Sequence, residues 1–245
     1  MIAVAALQLA NWPLPFDAGN NAAFDRYLRL NLNVILVLFA VANVMLLVGV
    51  LLRKRKATPW RQFAIEYAPL TVFACALIAV AIYSEQLWAR QRFVGAAPDA
   101  MQVEVTGVQF VWYFRYPGKD AHFGQTKPQF IAPGEGNPLG LDRSDPTSND
   151  DIVTSELVLP AGREVDLALE SQDVIHGFSV PELRIKQYAT PGQRGHLHFT
   201  ATKPGSYAIL CANVCGMGHY RMTSTLRVVT PEEFAAWLRA HEVKR

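Results

Sequence analysis

The alternation of apolar and polar positions changes character near residue 95. From Leu30 to Leu52 there is no charged residue, and the run is rich in Leu, Val and Ala. About 20 such residues cross the hydrocarbon core of a bilayer as a helix, so the pattern predicts a first span here. Asn31, Asn33 and Asn43 are its strongly polar interruptions, and one face of a helix pair is expected to hide them. Tyr67 to Leu87 is a second, weaker run, apolar until Ser84 and Glu85. Tyr83 and Trp88 near its end suit a membrane–water interface.

After residue 95 the period shortens to two. Residues 101–106 (MQVEVT), 155–159 (SELVL), 164–169 (EVDLAL), 196–199 (HLHF) and 225–229 (TLRVV) each read as a half-buried strand. Pro160-Ala-Gly162, Pro191-Gly192 and Pro204-Gly205 punctuate them as turns. Several short strands so spaced predict a sandwich or barrel. Residues 117–151 are rich in Gly, Pro, Asp and Ser and longer than an ordinary connection, and are expected to form an irregular insertion. Thr230-Pro231-Glu232-Glu233 opens a last helix over 231–242, with an N-cap Thr, Pro at the first position and Glu at the third. The expected organisation is an N-terminal segment 1–27 outside the cytoplasm, a two-helix anchor 28–94 and a folded domain 95–245.

Charge orients this plan. Residues 1–94 carry nine Lys/Arg against four Asp/Glu, and residues 95–245 carry fourteen against seventeen. Arg53-Lys54-Arg55-Lys56 and Arg61 lie between the two apolar runs, and the positive-inside rule puts that loop in the cytoplasm. The N-terminus and the folded domain then face outward, to the periplasm in a bacterium. The apolar start, Met1 to Ala10, has the look of a signal-peptide tail without its charged leader. A net-negative folded domain with no basic stripe argues against nucleic-acid binding, and the lack of a Cys-x-x-Cys-His motif argues against a fused c-type haem.

The chemistry concentrates in residues 211–222 (CANVCGMGHYRM), where Cys211, Cys215, His219 and Met222 fall within twelve residues after a strand-like run. Soft sulfur ligands select Cu(I), zinc or iron–sulfur clusters, and imidazole also suits copper. His176, at a strand end upstream, is the candidate second imidazole. Blander readings exist: a Cys211–Cys215 disulfide in an oxidising compartment, a closed zinc site of His176, Cys211, Cys215 and His219, or Met222 as core. The joint spacing Cys-x3-Cys-x3-His-x2-Met favours copper, because electron-transfer copper sites use Cys, His and a weak axial Met.

This segment resembles the CuA loop of subunit II of cytochrome c oxidase, a loop also found in nitrous oxide reductase and some nitric oxide reductases. Residues 173–183 (DVIHGFSVPEL) look like that family's first-ligand segment, and residues 105–116 (VTGVQFVWYFRY) look like its aromatic segment. The resemblance implies an α+β membrane protein, with an N-terminal two-helix transmembrane hairpin followed by a cupredoxin-like Greek-key β-sandwich. It implies a binuclear copper centre in which Cys211 and Cys215 bridge two ions. His176 and His219 would bind one ion each, with Met222 and the backbone carbonyl of Asn213 as weak ligands. It further implies electron uptake from cytochrome c, or a cytochrome c domain of a partner complex, near Trp112 and Phe110. Electrons would leave to haem in subunit I of a respiratory haem–copper oxidase in the bacterial plasma membrane, among lipid and other oxidase subunits. The alternatives are the same subunit of a nitric oxide reductase, and a membrane-anchored copper-delivery protein.

The chain departs from the pattern at several points. Asn213 stands where many members have a Glu that helps hold a magnesium at the subunit boundary. Phe110 replaces a Trp associated with electron uptake, and Arg115 falls where some members place an acidic docking residue. Glu66 is not a secure match for the Glu that members carry near the second helix. Asp142, Asp145, Asp150, Asp151 and Glu156 are candidates for an acidic docking patch. His196 and His198 share one strand face and are expected to be ordinary strand residues, with Cys75 a small packing residue. Asp173, three residues before His176, is a candidate support for that ligand or a docking residue.

Overall fold

The computed structural model describes residues 17–19, 22–52, 58–92 and 94–242. The basic loop at 53–56 and the apolar start at 1–10 fall outside the described residues. The chain divides into a helical unit and a β unit, and Asp17–Gly19 packs with the latter.

The helical unit is a pair: α1 spans Ala22–Leu52 and α2 spans Pro59–Arg92. The first begins ahead of the expected boundary at 28, with Asp25 in its first turn, where a carboxylate favours the positive end of the helix dipole. Tyr27 of α1 and Tyr83 of α2 meet with ring centroids 5.5 Å apart. Stretches of 29 and 31 residues are long and apolar enough to cross a membrane, and side chains such as Phe39, Leu46, Ile65 and Val72 are exposed along them. Two of the three Asn interruptions bond within their own helix. Asn31 donates to the Tyr27 carbonyl at 2.9 Å, Asn43 to Phe39 at 2.7 Å and Thr71 to Tyr67 at 2.9 Å. A side chain bonded four residues back satisfies a donor within its own helix, without calling on a neighbour.

The β unit is a sandwich of two five-stranded sheets. The strands are β1 (Met101–Val108), β2 (Val111–Tyr116), β3 (Ile152–Thr154), β4 (Leu157–Pro160), β5 (Glu164–Ser171), β6 (His176–Val180), β7 (Ile185–Ala189), β8 (Gly195–Thr200), β9 (Gly205–Cys211) and β10 (Thr223–Val229). One sheet runs β3-β2-β1-β5-β8 and the other β4-β10-β9-β6-β7. The chain changes sheet repeatedly, as Greek-key connectivity requires, and β1–β5 and β4–β10 pair in parallel. Val103, Val105, Leu167 and Leu169 from one sheet meet Leu157, Leu159, Phe178, Ile209 and Leu226 from the other in a shared core, each fully buried large side chain contributing about 1.5–3 kcal/mol. Tyr116 crosses between the sheets: its hydroxyl accepts from Val158 N at 2.7 Å and donates to Val158 O at 3.0 Å. Helix α3, Pro231–His241, opens on a capping box between Thr230 and Glu233 and lays Phe234 and Trp237 against Tyr116.

The outer face of β1 departs from the alternation. Glu104 and Thr106 are as buried as the core residues between them. The insertion explains this. It folds as three short 3-10 turns around Pro128–Phe130, Pro133–Glu135 and Pro146–Asn149, and its Phe123 and Gly124 lie over Arg115. Arg115 is buried and bridges Glu104 at 2.9 Å and Asp151 through Nε at 3.0 Å, while Arg194 closes on Glu104 from the other side. Arg115, at the position where some family members place an acidic docking residue, is here an interior cation.

The acidic-patch expectation is corrected for Asp142 and Asp151, which are buried, while Asp145, Asp150 and Glu156 are half-exposed. Asp151 is Arg115's partner, and Asp142 is buried against Lys127 at 2.6 Å. Asp145 caps the turn at Thr147, Asp150 accepts from Lys119 N, and Glu156 pairs with Arg227. These carboxylates hold the insertion and sheet edge together.

Ahead of α1, Ala18 is fully buried against the sandwich. Its N–H donates to Glu182 O and its carbonyl accepts from Thr202 N, both at 2.8 Å.

Candidate metal centre

The cluster lies at one end of the second sheet. β6 starts at His176 and β9 ends at Cys211, and the two strands pair with Phe178 opposite Cys211. The chain then loops through Cys215, turns at His219–Arg221, and enters β10 directly after Met222. Cys211 N donates to Met222 O at 3.2 Å and Ala212 N to Gly177 O at 2.7 Å, closing both ends of the loop.

Cys215 sits at the middle of the donor set. Its Sγ lies 3.9 Å from Cys211 Sγ, 3.7 Å from His219 Nδ1 and 3.7 Å from Met222 Sδ. His176 joins the two sulfurs, with all three donor atoms within 4.8 Å of one another. The Asn213 carbonyl oxygen is 3.2 Å from Cys211 Sγ, and its side chain donates to Ile175 O at 3.0 Å. Among the six proposed donors, His176 is 0% exposed, Met222 1% and Cys215 6%. Both thiols are free. Burial, reinforced by the neighbouring Cys211, pushes the Cys215 thiol up to about 11, so a bound cation must displace its proton.

His176 supplies the test of whether this set fits a metal. Its Nε2 is 2.8 Å from Asp173 Oδ1, while its Nδ1 is buried and has no hydrogen-bond partner among the described residues. An orphaned buried ring nitrogen is costly, and the His176 ring lies close to two free thiols, so the donor set fits a soft metal ion. An imidazole held at one nitrogen by a carboxylate and free at the other is the usual posture of a metal-binding His. Burial raises the Asp173 carboxyl, but hydrogen bonds from Gln109 N, the His176 ring and Val174 N outweigh it and hold the group below its ordinary range.

Trp112 is fully buried, edge-on to His176 and Phe178 at centroid separations of 5.8 and 5.5 Å. The ring of Trp112 is therefore behind the surface rather than on it. Phe110 is half-buried, against Gly216 and Gly218 of the loop and beneath Arg221. His196 binds Asp166 at 3.0 Å on the outer face of the other sheet, away from any sulfur. Three residues escaped the sequence reading. Gly107 lies so close to His176 that a Cβ there would meet the ring at 2.8 Å, and Gly177 presses on the Ala212–Asn213 backbone. Gln109 Nε2 donates to Cys215 O at 2.5 Å. Spacing alone gives no sign of these contacts, because each partner is tens of residues distant.

The fold and this cluster define a cupredoxin-like sandwich with a sulfur–imidazole donor set at one end. The profile of the family described as cytochrome c oxidase subunit II, periplasmic domain, matches residues 101–229, and the chain belongs to that family. It is 40% identical over 149 residues to an alternative cytochrome c oxidase subunit 2 of Bradyrhizobium diazoefficiens, covering 60% of this chain and 53% of that one. It is 29% identical over 197 residues to a cytochrome c oxidase subunit 2 of Cereibacter sphaeroides, covering 76% and 64%. Among solved structures, the periplasmic domain of subunit II of cytochrome oxidase (CoxB) of Bradyrhizobium japonicum matches 59% of this chain and 95% of its own, with 28% identity and a TM-score of 0.43. The match thus spans about half to two thirds of the length of these two curated relatives.

Proposed function

We propose that this chain is the electron-accepting subunit of a respiratory haem–copper oxidase, holding a binuclear copper centre on the outer face of a bacterial plasma membrane. The observation that carries the reading is the donor set around Cys215, with the unpartnered Nδ1 of His176 beside two free thiols. His176, Cys211, Cys215, His219 and Met222, with the Asn213 carbonyl, would hold the ions. A pair of copper ions held by these residues would supply reversible one-electron uptake and release.

The chain's own contribution is rigidity and exclusion of water. Cys211 and Met222 are tied by a strand-end hydrogen bond and His176 is fixed by Asp173. Trp112 and Phe178 pack a dry wall behind the His176 ring. A site that cannot rearrange keeps its two redox states close in geometry, and the surrounding hydrogen bonds and burial tune its potential. Electrons would come from cytochrome c, or a cytochrome c domain of a partner complex, through the surface around Phe110 and the loop. They would pass to haem in subunit I. Residues 23–51 and 59–89 would lie in lipid, with the basic loop at 53–56 cytoplasmic.

The test is turnover of the purified native complex with reduced cytochrome c, in separate trials with oxygen and nitric oxide, together with its copper spectrum. Cyanide-sensitive oxygen consumption with a mixed-valence two-copper signal supports the reading. Brisk nitric oxide loss with negligible oxygen use moves the complex to denitrification. A single, readily exchanged Cu(I) replaces the reading with a copper-delivery role.

A further inference from the structure

Gln109 touches both segments that carry the donor set, although it lies on neither. It sits in the turn between β1 and β2. Its backbone N–H donates to Asp173 Oδ2 at 2.7 Å, on the carboxylate whose other oxygen holds His176 Nε2. Its side-chain amide donates to the Cys215 carbonyl at 2.5 Å. The loop is pressed onto this turn: a Cβ at Gly216 would meet Gln109 Nε2 at 2.7 Å, and one at Gly218 would meet the Phe110 ring at 2.4 Å. Gly216 also has φ +143°, a conformation glycine adopts without penalty.

We infer that Gln109 is a positioning residue for the metal centre, locking the Cys215–His219 half of the loop to the Asp173–His176 arm. The inference rests on the metal-centre reading above. The physical case is one of separation. His176 and Cys215 are on different segments, and β6–β9 pairing reaches the loop only at Cys211. Beyond Cys211 the near end of the loop is tied to the His176 segment by Ala212 N to Gly177 O at 2.7 Å and by the Asn213 side chain to Ile175 O at 3.0 Å, and its far end returns through the Cys211 N–Met222 O bond. Cys215 lies between these ties. Its carbonyl is held by the Gln109 amide, which ties the middle of the loop to the turn that also holds Asp173. Supports of this kind change metal affinity by about 10–100-fold when removed.

The experiment uses the full-length chain in detergent, loaded with copper, with variants Gln109→Met and Gln109→Glu. Methionine keeps length and volume but cannot donate. Glutamate keeps reach but sets a carboxylate against the Cys215 carbonyl. Copper loss to a Cu(I) chelator, the electron paramagnetic resonance spectrum, the midpoint potential and the thermal unfolding of the metal-free chain are read together. The expected result is copper release about tenfold faster in both variants, with altered hyperfine structure and a shifted potential, while metal-free unfolding stays close to the parent's. Parent-like release, spectrum and potential in either variant would overturn the inference. So would a lowered unfolding temperature with an unchanged spectrum, which makes Gln109 a packing residue only. Lack of a two-copper spectrum in the parent itself is a failure of the metal-centre reading, visible before any variant is compared.

Discussion

Asp173 holds the His176 ring by Nε2 at 2.8 Å, and the other ring nitrogen is left buried and unpartnered beside two free thiols. That one contact fixes which nitrogen faces the donor cluster. Asp173→Ala releases the ring and lets Nδ1 seek another partner. Copper affinity is expected to drop about 10–100-fold, measured by competition with a chelator of known affinity. Unchanged affinity would mean that the packing of Trp112 and Gly107 alone orients the ring.

Cys215 is the donor nearest to the other sulfur and nitrogen atoms, so its loss dismantles the set. Cys215→Ser is expected to abolish the mixed-valence two-copper signal while the chain remains folded and membrane-associated. Met222→Leu keeps the buried volume and removes the thioether, and is expected to shift the midpoint potential and slow electron transfer. A normal two-copper spectrum in the first variant refutes the ligand assignment, and an unmoved potential in the second removes Met222 from it.

The buried Cys215 thiol is held up at about 11 by burial and by Cys211, so metal uptake displaces a proton. Copper affinity is expected to fall as pH falls, about tenfold per unit for each proton displaced, between about pH 8 and 6. Chelator competition at several pH values measures the slope, and a flat profile would show that no thiol proton is released.

Arg115 is the shared cation of Glu104 and Asp151 in a region closed to water. Arg115→Ala leaves Asp151 in the interior without its cation, while Glu104 keeps Arg194, and removal of one partner of a buried ion pair costs about 3–5 kcal/mol. Denaturant unfolding of the full-length chain is the measurement. A loss below about 1 kcal/mol, the range of exposed pairs, would mean that the insertion admits water to the site.

Asp142 is held down to about 2, against an ordinary 3.8, first by Lys127 and then by Ser144. A carboxylate depressed on folding contributes fully above its unfolded value and loses that contribution as pH falls through its folded value. Asp142→Asn is therefore expected to lower stability at neutral pH and to flatten its decline between about pH 4 and 2. Urea midpoints across that window check it, and a variant that declines as steeply as the parent would exclude Asp142 as a source of the acid sensitivity.

Much of this was legible in the sequence, for identifiable reasons. A helix that must cross lipid needs an uninterrupted apolar run, so α1 and α2 announced themselves by length. The strands β5 and β10 showed by period-two alternation, and α3 by the Thr230–Glu233 box. The local part of the cluster, Cys211 through Met222, is contiguous and could be read from spacing and ligand chemistry. Other assignments failed where burial depends on distant chain. Glu104 and Arg115 look like surface charges in their own strands, and become interior only because residues 123–124 fold across them. Asn31 and Asn43 each donate one turn back on their own helix, a local bond that the apolar pattern does not record.

The sequence by itself determined the two apolar helices, the strand-rich unit after them and the contiguous sulfur–imidazole segment, because each is encoded by local period, length or ligand spacing. Only the tertiary structure decided that His176, already a candidate from the sequence, lies beside Cys211 and Cys215 with Nδ1 lacking a hydrogen-bond partner. It also decided that Trp112 is wall rather than surface, and that Gln109 ties the two arms together. The reason is long-range strand pairing: β6 and β9 are neighbours in space, as are the β1–β2 turn and the loop after Cys211, and no local pattern records which distant segments the sandwich brings into contact.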